Sequence, residues 1–581
     1  MKKVDTNVQE LVGMVERGEL RLPEMQRRYV WRAPRVRDLL DSLYRSYPSG
    51  SILVWETDHE QPTRDLAISQ KVSPFSGHKL LLDGQQRLTS LSAVIRGEPI
   101  KVRGRKREIE ILFNLEHPDS FSDFAEVESD EDSLVEADDD VEESEEEEDE
   151  TAESVQERMR KMTFVVASRA LAQQPNWISV SKVFKSDNDI EILKTAGVSS
   201  FDDLRYAKYS QRIQRLRAIR NYPYTMHVLE RDLNYEEVAE IFVRVNSLGA
   251  KLRGSDLALA QITARWPNSL KLLEEFQDEC EERWMTLDLG LLVRAMVVYA
   301  SGQSRFDRVA ALPIKKLKEG WEKAKDGLRF AINFLRTNAN IEDESLLSSP
   351  LFFIVIAYLS FKKGESFSKE EEKMLLYWLY LANARGRYSR GSTETLLDAD
   401  LNTIKKGGGS EGMLETLRQQ FGRLHIEETD FIGRGAGSPL FSLVFLTLKA
   451  NGAKDWRTGL GLSLTHQGKY HYIQFHHIFP KAILKGQYEK QEINEIANMA
   501  FISGRLNRHL SSKQPAEYFP QIIEERGEEA LLAQAVPLDS SLHKTENFRR
   551  FLEIRRKTLV KLANDFLESA KKGNFAPVIA E

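Results

Sequence analysis

Apolar residues recur at helical spacing at Val8, Leu11, Val12 and Val15, and again at Val36, Leu39, Leu40 and Leu43. Each set predicts an amphipathic helix. Between them Glu19-Leu20-Arg21-Leu22-Pro23 reads as extended. The turn Tyr47-Pro48-Ser49-Gly50 leads into a strand, Ser51-Ile52-Leu53-Val54-Trp55. A second run, Leu80-Leu81-Leu82, predicts a buried strand that passes through Asp83-Gly84 into a helix with Leu88, Leu91 and Val94 on its apolar side. Strands follow at 108–113 and 224–229, with a helical stretch near 203–220 between them. From about 266 to 450 the spacing is helical, as at Leu291, Leu292, Ala295, Met296 and Tyr299. Lys405-Lys406-Gly407-Gly408-Gly409-Ser410 predicts a flexible loop. No fixed-period repeat is apparent. The last third holds a β-prone run, Tyr470-His471-Tyr472-Ile473, followed by a helix-opening Pro480-Lys481-Ala482-Ile483-Leu484.

At 581 residues the chain suggests three or four domains rather than one core. The longest apolar run, 351–359, falls short of the ~20 residues a bilayer span needs and reads as a buried helix. No membrane association is expected. The first residues lack the apolar stretch of a signal peptide. A single cysteine, Cys280, excludes an intramolecular disulfide and a cysteine-rich zinc site, which fits a reducing, cytoplasmic setting. The net charge of −7 hides an asymmetry: residues 126–150 hold 17 Asp or Glu and no Lys or Arg, so the remainder carries +10. Dense like charge predicts a solvated surface insertion. A DNA mimic that occupies a basic groove is the sharper reading.

Three places could carry chemistry. In Pro23-Glu24-Met25-Gln26-Arg27-Arg28-Tyr29-Val30-Trp31, basic, amide and aromatic groups could meet a phosphate or a base, or could simply pack on the core. At Asp83-Gly84-Gln85-Gln86-Arg87 a strand-to-helix turn offers free backbone N–H donors and a positive dipole end, so Gln85, Gln86 and Arg87 could clasp an anion and Asp83 could position a metal or a hydroxyl. The stretch could equally be a plain Asp-Gly turn with a capped helix. In Gln474-Phe475-His476-His477-Ile478-Phe479-Pro480-Lys481, adjacent imidazoles could hold a proton or a metal, with Asn498 and Asn507 downstream as carbonyl donors. Arg385-Gly386-Arg387-Tyr388-Ser389 is either a phosphate contact or a loop paired with local acids.

The Gln26-Arg27 stretch, Asp83–Arg87 and Phe242…Asn246…Gly249 together resemble the ParB-like N-terminal domain of GmrSD-type restriction proteins. Related domains occur in phosphorothioate-sensing SspE proteins. The resemblance implies a nucleoside triphosphate site, for GTP or ATP, involving Gln26, Arg27, Asp83, Gly84, Gln85, Gln86, Arg87 and Asn246. No Walker-type loop is present, so this site rests on the resemblance. The C-terminal elements His476-His477-Ile478-Phe479-Pro480, Ile496-Ala497-Asn498 and Leu506-Asn507-Arg508-His509 resemble the HNH (ββα-metal) nuclease domain of the same family. By that resemblance His477 is the general base, His476 and Asn507 ligate a divalent cation, and Asn498 buttresses the loop carrying His477. His509 and Lys513 are further candidates for metal or phosphate contact. Many HNH sites have an acidic residue where His476 stands, and an imidazole there favours Mn²⁺ and its softer neighbours while leaving Mg²⁺ open.

The expectation is therefore an α+β multi-domain protein: residues 1–265 a ParB-like α/β NTPase or sensor domain, 266–450 a helical linker, and 451–581 an HNH nuclease domain. Its function would be modification-dependent cleavage of double-stranded DNA, foreign phage DNA in particular, gated by nucleotide. One HNH site cuts one strand, so a double-strand break would involve a homo-oligomer or two events. The alternative in another class is a DNA- or partner-binding regulatory protein with an inert HNH domain.

Overall fold

The continuous apolar runs at 52–55 and 80–82 are explained by a sheet covered on both faces. Successive strand residues point to opposite sides. Ile52, Val54 and Leu81 accordingly join one core with the helices Val8–Glu16, Ala33–Tyr44 and Gln85–Arg96, while Leu53, Trp55, Leu80 and Leu82 join a second core with helices Tyr235–Leu248 and Gly254–Arg265. The computed structural model describes residues 1–26, 29, 31, 33–57, 63–66, 70, 78–98, 110–118, 161–186, 188–248, 254–282, 285–364, 367–389, 391–466 and 472–573, and divides into two compact units, Met1–Leu270 and Lys271–Glu581. The acidic run lies outside the described residues.

In the first unit the strands are β1 (Lys2–Asn7), β2 (Leu20–Pro23), β3 (Ile52–Thr57), β4 (Thr63–Arg64), β5 (His78–Asp83), β6 (Ile111–Asn114), β7 (Phe164–Val166), β8 (Trp177–Ser179) and β9 (Pro223–Leu229). Six form one mixed sheet, in the order β1-β9-β3-β5-β2-β4, with β3–β9 and β2–β5 parallel. The other three form an antiparallel sheet, β7-β6-β8. Central placement of β5 sets the turn Asp83-Gly84 at a strand end between β3 and β2. β1 escapes the hydrophobic pattern because Lys2, Lys3, Asp5 and Asn7 interrupt it. It is an edge strand held by its backbone ladder to β9, from Lys2↔Val228 to Asn7↔Pro223.

The second unit is helical from its start to Ala450, and among the described residues no strand falls between Leu229 and Ile473. The apolar run 351–359 lies in helix Leu351–Lys363, where Phe352 to Leu359 are buried on every side. No helix of the described residues is long and apolar enough to cross a membrane. The glycines at 407–409 do not make a flexible loop. Helices Thr393–Lys405 and Gly409–Phe421 are joined by a three-residue turn, closed by Gly407 N–H to Ile404 O and Gly408 N–H to Thr403 O. Arg385 and Arg387 pair with local acids rather than facing a ligand. Arg387 and Asp400 form a buried two-pronged ion pair at 2.6 and 2.7 Å, and Arg385 bonds Asp430 at 2.8 Å. After Ala450 come an antiparallel hairpin, β10 (Ile473–His477) and β11 (Met499–Ser503), and the short helix Gly504–Leu510. The long helix Phe548–Lys572 packs on helices Lys369–Ala384 and Leu440–Ala450 and on the turn Ile496–Asn498.

Candidate functional site

Alternation along β10 sorts the two histidines. His476 points inward and is 3% exposed, whereas Phe475 and His477 share the open face, with Phe475 40% exposed. The antiparallel register, His477↔Met499 through Ile473↔Ser503, brings the start of helix Gly504–Leu510 back over β10. Asn507 on that helix thereby reaches His476. The His476 Nδ1–H donates to Asn507 Oδ1 at 2.8 Å. Asn507 Nδ2 donates to Gln474 Oε1 at 3.0 Å, which turns its oxygen toward the imidazole. Behind His476, the Tyr518 hydroxyl stands 3.4 Å from Nε2 and donates to Ile478 O at 2.9 Å.

His477 has a different setting. Its Nε2–H donates to Asn494 Oδ1 at 3.2 Å, and Nδ1 makes no hydrogen bond among the described residues. Burial lowers the pKa of His476 to about 4 against the opposing pull of Asn507. Burial also lowers that of His477 to about 3, helped by the charges of Lys481 and His476. Both rings are therefore neutral near pH 7, the form that binds a cation or accepts a proton.

Asn498 is fully buried and touches no open surface. Its Oδ1 accepts from Phe479 N–H at 2.9 Å, and its Nδ2 donates to Phe479 O at 3.1 Å and Ile493 O at 2.9 Å. It shapes the turn that leaves His477. Arg505, Arg508 and His509 are exposed on the short helix and Lys513 is half-buried beyond it. Among the described residues no group of three or more His, Cys, Asp or Glu side chains is clustered for a metal. The paired donors at this centre are an imidazole and an amide.

Several residues that shape the centre carry no sequence signal. Arg555 is wholly buried, with no acidic partner among the described residues; its guanidinium donates to Ala497 O at 2.8 Å, Ile496 O at 3.4 Å and Gln534 O at 3.0 Å, and burial lowers its pKa to about 9. Gln534 brackets β11 by accepting from Phe501 N–H and donating to Phe501 O, both at 2.8 Å. Asp455 accepts from Ser503 N–H and Thr458 N–H, each at 2.6 Å. Burial alone would raise its pKa, but these donors outweigh it and hold the carboxyl below its ordinary value.

In the first unit Gln26, Gln86 and Arg87 converge on the turn after β5, and all three are engaged with backbone. Gln26 Nε2 donates to Leu82 O at 2.6 Å, and Gln86 Oε1 accepts from Trp31 N–H at 3.2 Å. Arg87 donates to Ser49 O, to Ser51 O at 2.8 Å and to Asp83 Oδ2 at 3.3 Å. Gly84 adopts φ +95°, which a side chain would strain, and a Cβ there would lie 2.5 Å from Ile52 Cδ1. Gln85 is buried, whereas the Asp83 carboxylate is more open than the Arg87 side chain it pairs with. Arg27 lies outside the described residues. Asn246 lies on helix Tyr235–Leu248, but its side chain is likewise outside them.

An uncharacterized protein of Methanocaldococcus jannaschii is 23% identical over 616 residues, an alignment covering 95% of this chain and 97% of that protein. Residues 8–263 match the family model described as GmrSD restriction endonuclease, N-terminal domain, a stretch that takes in β2 to β9 and the Asp83–Arg87 turn. Over those residues the chain is similar to the N-terminal domain of GmrSD restriction endonucleases.

Proposed function

We propose that the chain is a DNA endonuclease in which β10, β11 and helix Gly504–Leu510 act as an HNH (ββα-metal) centre, under the control of a nucleotide-binding N-terminal domain. The likeness of residues 8–263 to the GmrSD N-terminal domain supports the coarser part, a restriction endonuclease acting on DNA in defence against phage. The observation that carries the finer part is the division of labour between adjacent histidines: His476 paired with Asn507 at 2.8 Å, and His477 with Nδ1 unengaged on the open face.

The donor pair fits a small divalent cation. His476 Nδ1 and Asn507 Oδ1 stand 2.8 Å apart, and both would turn lone pairs to a cation once the proton leaves Nδ1. Tyr518 Oη can accept a hydrogen bond from the N–H that must sit at Nε2 when Nδ1 turns to a cation. An imidazole with an amide oxygen suits Mn²⁺ as well as Mg²⁺. His476 and Asn507 would hold the cation, which would supply charge stabilisation for the scissile phosphate and the leaving oxygen. His477 Nδ1 takes a proton from water as the water oxygen bonds to phosphorus and the bond to the leaving oxygen breaks. Exposed Arg505 and half-buried Lys513 offer contacts to flanking phosphates.

For the first unit the reading is a GTP or ATP site at Asp83–Arg87, with Gln26, Arg27 and Asn246 contributing. Gln26 and Arg87 keep the turn in shape, and the N–H groups opening helix Gln85–Arg96 offer donors to phosphate. Plasmid nicking in EDTA and across a series of divalent metals tests the nuclease. His477→Ala is expected to lower nicking at least ~100-fold while leaving DNA binding intact. A wild-type protein inert with every metal would leave a DNA-binding protein with a silent centre. Phosphate release from GTP and ATP, with modified and unmodified phage DNA, tests the gate. Nucleotide-dependent cutting without release would make the domain a switch rather than a hydrolase.

A further inference from the structure

Asn494 stands out because the nuclease reading gives it no task, yet it holds the ring that would act as base. His477 Nε2 lies 3.2 Å from Asn494 Oδ1, and an amide oxygen can only accept, so Nε2 carries the proton. The neutral ring then has its lone pair at Nδ1. We infer that Asn494 is the positioning residue that sets the His477 tautomer, leaving Nδ1 as the proton acceptor toward water; this rests on the nuclease reading of the centre.

The surroundings of Asn494 are built to keep it in place. Its N–H donates to Lys490 O at 3.1 Å, at the end of helix Lys490–Ile493. A Cβ on Gly435 would come within 2.8 Å of the Asn494 carbonyl oxygen, so only glycine lets this loop approach so closely. The same loop grips the next residues: Gly433 N–H donates to Glu495 Oε2 at 3.1 Å, and Ile496 N–H to Arg434 O at 2.7 Å. Four residues on, Asn498 holds the turn behind His477. One short segment thus carries two carboxamides with separate tasks, one fixing the ring and one fixing the backbone that bears it.

Asn494→Leu removes the acceptor at similar volume, and Asn494→Asp keeps an oxygen that only accepts. In the metal-free full-length protein at neutral pH, ring-¹⁵N histidine NMR reads the tautomer, with the His477 signals assigned by their loss in His477→Ala. The expected wild-type spectrum has Nε2 protonated and Nδ1 unprotonated. Asn494→Leu should mix the tautomers and lower kcat for plasmid nicking about 10–100-fold with KM unchanged, while Asn494→Asp restores both signatures. A wild-type ring protonated at Nδ1, or a leucine variant with wild-type kcat, overturns the proposal even if the leucine variant is less stable. A correct wild-type tautomer in a protein that no metal activates would instead sink the nuclease reading and leave the hydrogen bond as fold alone.

Discussion

Asn498 uses every hydrogen-bonding group it has on backbone, and this separates it from the histidines it supports. Its three partners, Phe479 N–H, Phe479 O and Ile493 O, have no route to water at a residue with no exposed surface. Leaving a buried polar group unpaired costs about 1–3 kcal/mol, so Asn498→Ala is expected to destabilise the second unit by ~3 kcal/mol or more. Asn498→Asp is expected to fare no better, because a carboxylate oxygen would then face two carbonyl oxygens. His477→Ala should leave stability nearly unchanged, since that ring makes one side-chain hydrogen bond on a half-open face. Thermal unfolding of the three variants makes the comparison. If Asn498→Ala melts with the wild type, its carboxamide is not what fixes the turn. The histidines and asparagines were legible in the sequence because their chemistry and spacing are local to the motif. Asn494 was not, since an asparagine thirteen residues before Asn507 has no pattern to announce that it faces His477.

At the scale of elements, legibility followed the range of the forces involved. Apolar runs sandwiched between two helical layers, such as 52–55 and 80–82, announce themselves by composition. The edge strand β1 does not, because its stability comes from a ladder with β9 more than two hundred residues away. The same limit hides Arg555, one turn of whose helix organises a loop nearly sixty residues earlier. Its guanidinium ties Ile496 O and Ala497 O to Gln534 O, so the turn before β11 and the bracket along β11 share one donor. Arg555→Met removes a buried charge, which offsets part of the loss, but it leaves those carbonyls unpaired. The expected result is local: amide exchange in 494–501 speeds up at least about tenfold, and nicking falls with it, while helix Phe548–Lys572 stays protected. Arg555→Lys should not rescue, because one ammonium cannot match the planar fork that spans three carbonyls. Unchanged exchange in 494–501 would mean that the hairpin holds its shape without the arginine.

At the scale of the whole molecule the charge distribution asks for its own test. Seventeen acids in 126–150 sit in a chain whose other residues sum to +10. They fall in sequence between β6 and β7, two strands of the small sheet that pair directly. Removing 126–150 should therefore leave β6 and β7 paired, and its effect should be electrostatic. DNA binding by a basic body rises steeply as salt falls, and a tethered polyanion competes under those same conditions because both interactions are screened alike. If the run acts as a DNA mimic, the deletion variant should bind duplex DNA several-fold more tightly than the full chain at low salt. The two curves should converge as ionic strength rises. Fluorescence anisotropy across a salt series measures both chains side by side. Equal affinity at low salt would reduce the run to a solvated insertion, whereas a gap independent of salt would point to a structural change rather than to charge.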